Sequence, residues 1–261
     1  MDLAPTLSYQ AFGKSNGELN MRYLAMIQAR YGSSRLPGKV LRNLCGQPIL
    51  YHIVQRIRSV QSVDAIIIAT SQNKSDDLIA EFAHENQVCC FRGSETDVLD
   101  RFFQAARTFG AELDDIIMRL TADNPFVDPN VCEELLSYFK GSNFSYASTG
   151  GYPLGVGAEV FTFRALAEAH ENGRQPYERE HVTPYMYREG QNPGKLNSPK
   201  DYSAVRLTVD TEEDYKVAQT LYGSLYQPDK IFSLDEIIDY LAANPEVMTI
   251  NKNVHQKRLG E

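Results

Sequence analysis

The sequence predicts an α/β fold: a Rossmann-like, mostly parallel sheet with helices on both faces and a small insertion. The first observation is a set of four short, continuous apolar runs, which favour strands buried on both sides. The second is that segments with apolar residues at helical spacing separate these runs. The third is that polar residues follow several of the runs, where open α/β sheets bind their ligands.

The first half of the chain alternates strand and helix. Its predicted strands are residues 23–27, 65–69, 88–91 and 116–120. Its predicted helices are residues 48–57, which begin with a proline suited to a first turn, 75–82, which begin with a serine cap, and 98–109. Because helices separate the strands, the strands are expected to run parallel.

The second half lacks this regular alternation of strand and helix. A Gly-rich turn at 150–157 separates two further predicted strands, 144–147 and 158–163. The remaining predicted elements are helices at 164–172 and 178–189, an excursion from the core at 192–201, a strand at 205–209, and capped helices at 211–225 and 233–241. Residues 1–20 are expected to be a tail or leader, and residues 21–261 a single domain with an insertion around 144–201.

Composition and charge exclude several classes of protein. The chain of 261 residues is 43% hydrophobic and 23% charged, as globular proteins are, and no apolar run is long enough for a membrane span or a secretory signal. Its net charge of −8 argues against a general nucleic-acid binder. Residues 1–60 nevertheless hold eight Lys or Arg and two acids, which suggests an anion site. Arg56 and Arg58 are expected to be solvated on a helix, and the four cysteines to be buried free thiols in the cytoplasm.

Three predicted strand ends carry polar residues, at 28–39, 121–125 and 210–214. Because parallel strands end at one edge of a sheet, these segments should meet along one rim. The first loop, residues 28–39, combines three cations with glycine and serine, which suits a triphosphate; a solvated basic loop is the alternative. It is not a P-loop, because five residues separate its glycines and valine follows its lysine where Ser or Thr is required.

Four stretches of the sequence together resemble one enzyme family. They are A-R-Y-G-S-S-R-L-P-G-K at 29–39, F-R-G-S followed by D-V-L-D-R-F within 91–102, T-A-D-N-P at 121–125 and V-D-T-E-E-D at 209–214. The chain is similar to the cytidylyltransferases that make CMP-activated sugars, such as the CMP-Kdo and CMP-acylneuraminate synthetases. Over residues 21–260 it looks closest to the spore coat polysaccharide biosynthesis branch. The resemblance implies the nucleotide-diphospho-sugar transferase type of fold and a transfer of CMP from CTP to an acceptor oxygen, with release of pyrophosphate.

The resemblance also implies which residues bind the nucleotide. They are Gln28, Ala29, Arg30, Ser34, Arg35, Lys39, Thr70, Arg92 and Ser94. Arg30 and Lys39 are expected to hold the β- and γ-phosphates and, with Asp123, to form the catalytic set. Asp123 and Asp210 are the expected Mg²⁺ ligands, since Mg²⁺ prefers one or two carboxylates together with phosphates and waters. A capping or turn role is the alternative for each acid.

The acceptor is expected to contact the second half of the chain. The implied residues are Glu159, Arg179 and His181, with a structural hydrogen bond as the alternative for the histidine. Relatives often carry acids in the Gly-rich turn where this chain has Leu154 and Gly157, so the acceptor stays open between a sugar and a phosphorylated or phosphonate compound.

The expected partners are CTP, a small-molecule acceptor and a second copy of the chain in a homodimer, with neither nucleic acid nor membrane. Two alternatives remain at this point. One is an enzyme of the same fold that uses another nucleoside triphosphate, and the other is a non-catalytic nucleotide-binding protein.

Overall fold

The computed structural model describes residues 21–189 and 192–256, so the predicted tail at 1–20 lies outside the described residues. These residues form a seven-stranded sheet and a separate two-stranded hairpin. In chain order the strands are β1 (Tyr23–Gln28), β2 (Asn43–Leu44), β3 (Gln47–Pro48), β4 (Ala65–Ser71), β5 (Cys89–Gly93), β6 (Ile116–Thr121), β7 (Tyr146–Gly150), β8 (Glu159–Thr162) and β9 (Gly194–Asn197).

Helices connect most of these strands. In chain order they are α1 (Ile49–Arg58), α2 (Asp77–Glu85), α3 (Val98–Thr108), α4 (Pro129–Lys140), α5 (Phe163–Asn172), α6 (Pro176–His181), α7 (Pro184–Glu189), α8 (Glu212–Leu225) and α9 (Leu234–Ala243). Within the described ranges, none of them has the length and apolar character needed to cross a membrane.

The large sheet has the strand order β5-β4-β1-β6-β8-β7-β9. β1 pairs in parallel with β4 and β6, and β4 pairs in parallel with β5. β8 runs antiparallel to both of its neighbours, which places Glu159 opposite Arg119 of β6. The predicted α/β fold with a mostly parallel sheet is confirmed.

Two apolar cores cover the two faces of the sheet. Along β1, Ala25 and Ile27 belong to one core and Met26 to the other, and all three side chains are fully buried. Helices α1, α2, α4, α8 and α9 pack into the first core, whereas α3, α5 and α7 pack into the second. Successive strand residues point to opposite faces, so a strand covered on both sides must be apolar throughout.

Two segments of the second half exchange the roles predicted for them. Residues 205–209, predicted as a strand, are not a strand of the sheet, and Arg206 forms only an isolated bridge with Leu154. The predicted excursion at 192–201 instead contains β9, which pairs with β7 and extends the sheet. Lys195 and Asn197 make β9 too polar for an apolar pattern to reveal it.

Two predictions about helices need correction. The single helix predicted at 178–189 is divided into α6 and α7, because Val182 has a positive φ of 70° and Pro184 lacks the N–H that a continuing helix needs. α4 has no counterpart among the predicted helices, although Asp128 caps it and Pro129 opens its first turn.

The prediction that Arg56 is solvated is wrong. The residue is 2% exposed, its Nη1 donates to Phe232 O over 3.0 Å, and its guanidinium lies over the Phe232 ring. Arg58, one residue beyond Ile57 on the same helix, is exposed as predicted. The four cysteines are free thiols as predicted, but of the four only Cys132 is buried; Cys89 and Cys90 are partly buried, and Cys45 is exposed.

Candidate active site

Backbone hydrogen bonds join the ends of three segments at one edge of the sheet. Ala122 N donates to Gln28 O over 2.9 Å, which holds the end of β6 against the end of β1. Val209 N donates to Asp123 O over 2.8 Å, which brings the segment before α8 to the same edge. The three polar segments therefore meet along one rim, as predicted, although the segment at 210–214 does not follow a strand.

The centre of this rim is an ion cluster around Lys39. The Lys39 Nζ lies 2.9 Å from Asp123 Oδ2 and 2.8 Å from Asp210 Oδ1, so one ammonium bridges both expected metal ligands. Burial lowers the pKa of the Lys39 ammonium, but the two carboxylates outweigh burial, and the pKa lies above its usual value. Lys39 is therefore held as a cation between the two acids.

Asp210 has two further cationic partners. Its Oδ2 lies 3.1 Å from Arg35 Nη2 and 2.9 Å from Arg206 Nη2. Burial raises the pKa of the Asp210 carboxyl, but Lys39, Arg35 and Arg206 outweigh burial and hold the pKa below its usual range. Arg206 also binds Asp214, the capping acid of α8, over 2.8 Å. Arg206 is not among the predicted site residues. Its position four residues before Asp210 is the signal in the sequence that could have indicated its pairing with that acid.

The first loop has a closed shape that depends on glycine. Gly38 N donates to Tyr31 O over 2.9 Å, and Gly38 has a left-handed φ of 67°. A Cβ at this position would lie 2.9 Å from Cζ of the Tyr31 ring, too close for an unchanged loop. The turn at Gly38 lets the next residue, Lys39, point back toward the rim.

Asp76 connects the first loop to the end of β4. It is 1% exposed, and its Oδ1 accepts a hydrogen bond from Tyr31 N over 2.7 Å. Its Oδ2 accepts from Thr70 Oγ1 over 3.1 Å and from Ser71 N over 3.0 Å. Asp76 is not among the predicted site residues, because an acid just before α2 looks in the sequence like an ordinary cap.

Two predicted nucleotide residues lie where β4 and β5 end. Arg92 donates through Nε to Ser71 O over 3.0 Å, and the Ser94 carbonyl accepts from Arg101 Nη1 over 2.6 Å. Arg101 is fully buried, and burial, reinforced by the charge of Arg30, lowers its pKa to about 10. Arg101 thus holds the backbone of the β5–α3 connection in place from its buried position on α3.

The other predicted nucleotide residues differ in exposure. Ala29 and Thr70 are buried, and Ala29 N continues the pairing of β1 with β4 by donating to Ala69 O over 3.2 Å. Arg30 and Ser34 are exposed on the first loop. A nucleotide at this rim would therefore meet the exposed side chains of the loop and the backbone of the buried positions.

Glu159 lies in a polar cluster beside the rim. Its carboxylate accepts hydrogen bonds from Tyr146 Oη over 2.6 Å and from Thr183 Oγ1 over 2.8 Å, and it forms an ion pair with Arg119. Arg119 also donates to Gln28 Oε1 over 3.0 Å. A single arginine inside an apolar strand is the signal in the sequence that could have revealed Arg119.

Arg179 and His181 both lie in the last turn of α6, but they have different surroundings. The Arg179 Nε donates to Asp97 Oδ2 over 2.9 Å, which anchors α6 to the start of α3. His181 is partly buried; burial lowers its pKa, the carboxylates of Glu180 and Glu159 oppose this shift, and the charges of Arg119 and Arg30 add to it. Arg179 is thus committed to Asp97, whereas the charges of Glu159 and Arg119 act on His181.

The rim suits a divalent cation held jointly by protein and ligand. Among the residues described, no group of three or more His, Cys, Asp or Glu side chains could hold a metal ion. Asp123 and Asp210 are close enough for one ammonium to touch both, so a single cation already spans them. Two carboxylates that need phosphates and waters to complete an octahedron match the donor set of Mg²⁺.

Comparison with known proteins gives a consistent result. The sequence model described as cytidylyltransferase matches residues 24–243. The chain is 40% identical to an uncharacterized protein of Methanocaldococcus jannaschii, covering 92% of this chain and 99% of that one. It is 34% identical to the spore coat polysaccharide biosynthesis protein SpsF of Bacillus subtilis, covering 87% of this chain and 96% of that one.

A solved structure extends the likeness to three dimensions. The structure of a cytidylyltransferase from Leptospira borgpetersenii superposes with a TM-score of 0.82 at 29% identity, covering 92% of this chain and all of that one. The resemblance drawn from the four sequence stretches is confirmed, and so is the nucleotidyltransferase activity that it implies. The chain belongs to the cytidylyltransferase family.

Proposed function

We propose that this cytidylyltransferase transfers CMP from CTP to an oxygen of a sugar or of a phosphorylated or phosphonate acceptor, in the synthesis of a surface polysaccharide. The bridge from Lys39 to Asp123 and Asp210, beside Arg35, carries the proposal, because it gathers at one rim the charges that a nucleotide triphosphate and its metal require. The name of the Bacillus subtilis relative, a spore coat polysaccharide biosynthesis protein, supports the polysaccharide assignment.

The reaction needs positioning and charge rather than a covalent intermediate. An acceptor oxygen attacks the α-phosphorus of CTP, the bond from that phosphorus to the bridging oxygen breaks, and pyrophosphate leaves while the acceptor proton passes to solvent. Arg30, Arg35 and Lys39 would hold the β- and γ-phosphates, where negative charge builds up. Asp123 and Asp210 would hold Mg²⁺, which supplies further positive charge to the phosphates.

The acceptor side is proposed to lie around Glu159 and His181. Both oxygens of the Glu159 carboxylate are already engaged by protein donors, so its main contribution is to hold the Arg119 guanidinium beside Gln28. The Gln28 amide and the partly buried His181 then remain as groups that an acceptor can meet.

The decisive test incubates the protein with CTP, Mg²⁺ and a panel of sugars, sugar acids, phosphates and phosphonates, and measures pyrophosphate. We expect release with at least one acceptor, and none from the Asp123→Asn variant although that variant stays folded by circular dichroism. Unchanged turnover in Asp123→Asn would refute the metal assignment. Absence of release with the whole panel would count against the proposed acceptor class.

Thermal shift with each nucleoside triphosphate tests the choice of CTP. A larger shift with UTP or GTP than with CTP would replace the proposed nucleotide. The homodimer and the cytoplasmic location expected from the sequence stay predictions, and light scattering coupled to size-exclusion chromatography tests the dimer.

A further inference from the structure

All four carboxylate oxygens of the expected metal ligands already have partners within the protein. Asp123 Oδ1 accepts from Thr121 Oγ1 over 2.6 Å, and Asp123 Oδ2 is paired with Lys39. Asp210 Oδ1 is paired with Lys39, and Asp210 Oδ2 with Arg35 and Arg206. A metal ion that binds both carboxylates at the position between them would have to displace the Lys39 ammonium, which occupies that position.

The charges of the cluster are balanced without a metal. Three carboxylates, those of Asp123, Asp210 and Asp214, face the three cations Lys39, Arg35 and Arg206. A dication that approaches this cluster meets no excess negative charge, and it meets the Lys39 ammonium between the two oxygens it would bind. The geometry therefore does not favour a metal ion on its own.

A nucleotide triphosphate changes this balance. Its phosphates compete with the carboxylates for Lys39 and Arg35, since phosphate oxygens are strong acceptors for both side chains. Once the ammonium turns to the phosphates, Asp123 and Asp210 are left facing each other across a position that needs a cation. The flexible four-carbon stem of lysine permits this exchange of partners.

We propose that Lys39 closes the metal position in the free protein, so that the divalent cation enters only together with the nucleotide. This proposal rests on the proposed function, because it takes the occupants of the rim to be Mg²⁺ and CTP. It assigns Lys39 two successive partners: the two carboxylates before the nucleotide binds and the phosphates afterwards.

The test is a titration of the full chain with Mn²⁺ alone, followed by electron paramagnetic resonance, without any nucleotide. We expect weak binding by the native protein and at least about tenfold tighter binding by Lys39→Met, which removes the competing cation. Lys39→Arg keeps a cation and should bind as weakly as the native protein. The double variant Lys39→Met/Asp123→Asn has lost one ligand and should not show the gain.

Arg42→Met is the matched control. Arg42 lies three residues from Lys39 and pairs with Glu212 and the Tyr215 ring rather than with Asp123 or Asp210. Its removal also takes one positive charge from this region, so it should leave Mn²⁺ affinity within about twofold of the native value. An equal gain in Arg42→Met and Lys39→Met would overturn the proposal, because net charge alone would then explain the effect.

Lys39→Met leaves the Asp123 and Asp210 carboxylates to repel each other. If the variant folds poorly for this reason, the test still gives a decisive result. In that case Mn²⁺ should restore its fold and raise its unfolding temperature, whereas it should leave the native protein unchanged. Native binding of Mn²⁺ as tight as that of Lys39→Met, or no gain and no rescue in that variant, would overturn the proposal. Turnover of CTP plays no part in this readout, so the proposed function and the closure by Lys39 can fail separately.

Discussion

Replacing Asp76 with alanine removes the acceptor that joins the first loop to the end of β4. The native carboxylate accepts from the backbone N–H of Tyr31 over 2.7 Å and from that of Ser71 over 3.0 Å, besides the hydroxyls of Thr70 and Ser71. Each backbone donor left without an acceptor costs about 1–3 kcal/mol, whereas the two hydroxyls can rotate to other partners. Because water can reach the Tyr31 side, we expect a total loss of about 2–4 kcal/mol in the free energy of unfolding.

Urea unfolding at pH 7 measures this loss, provided that the dependence on denaturant is unchanged. Asp114→Ala is the control, because the Asp114 carboxylate is exposed and pairs only at the surface with Arg164. The control should stay within about 0.5 kcal/mol of the native protein. A loss under about 1 kcal/mol in Asp76→Ala would refute the idea that Asp76 anchors the loop.

Three further predictions test the site and its surroundings. Gly38→Ala should weaken CTP binding by at least about threefold in calorimetric titration, because the added Cβ meets the Tyr31 ring at a left-handed φ; native affinity would contradict this. Arg206→Met should lower the free energy of unfolding by about 1–3 kcal/mol in urea, with partial recovery in Arg206→Lys, and equal stability of all three proteins would contradict the pairing with Asp210. Burial lowers the pKa of His52 to about 4, so the folded protein favours the neutral imidazole. The free energy of unfolding should therefore fall by up to about 3 kcal/mol as the pH drops from about 6.5 toward 4. In His52→Gln, which has no imidazole to protonate, the decrease over this pH range should be smaller by that amount.

The first half of the fold was predictable because strands buried on both faces appear in the sequence as continuous apolar runs. β1, β4 and β6 are runs of apolar residues that only a covered sheet explains, and the structure places all three at its centre. β9 at the edge carries no such mark, since Lys195 and Asn197 fit an exposed edge strand as well as they fit a loop. The apolar pattern of the sequence therefore predicts which residues are buried. It predicts a strand only where the paired residues are also buried.

The meeting of the polar segments at one rim could be predicted, but the contacts made there could not. The charged residues after β1 and β6 could be grouped by the rule that parallel strands end at one edge, whereas residues 210–214 reach the same edge without following a strand of the sheet. That Lys39 binds Asp123 and Asp210 depends on contacts 84 and 171 residues apart, which no local pattern encodes. Arg206 was missed for a different reason: its partners Asp210 and Asp214 are near in sequence, but no motif of the family resemblance includes the arginine.

The burial of Arg56 ties the first helix to the last part of the chain. Among the described residues, its guanidinium donates to the carbonyls of Val127 and Phe232 and to the Tyr222 hydroxyl. A buried guanidinium without acceptors is costly, so the stability of the packing of α1 depends on a carbonyl 176 residues further along the chain. A substitution near Phe232 that moves this carbonyl would therefore be felt at α1, on the part of the fold that carries the first loop.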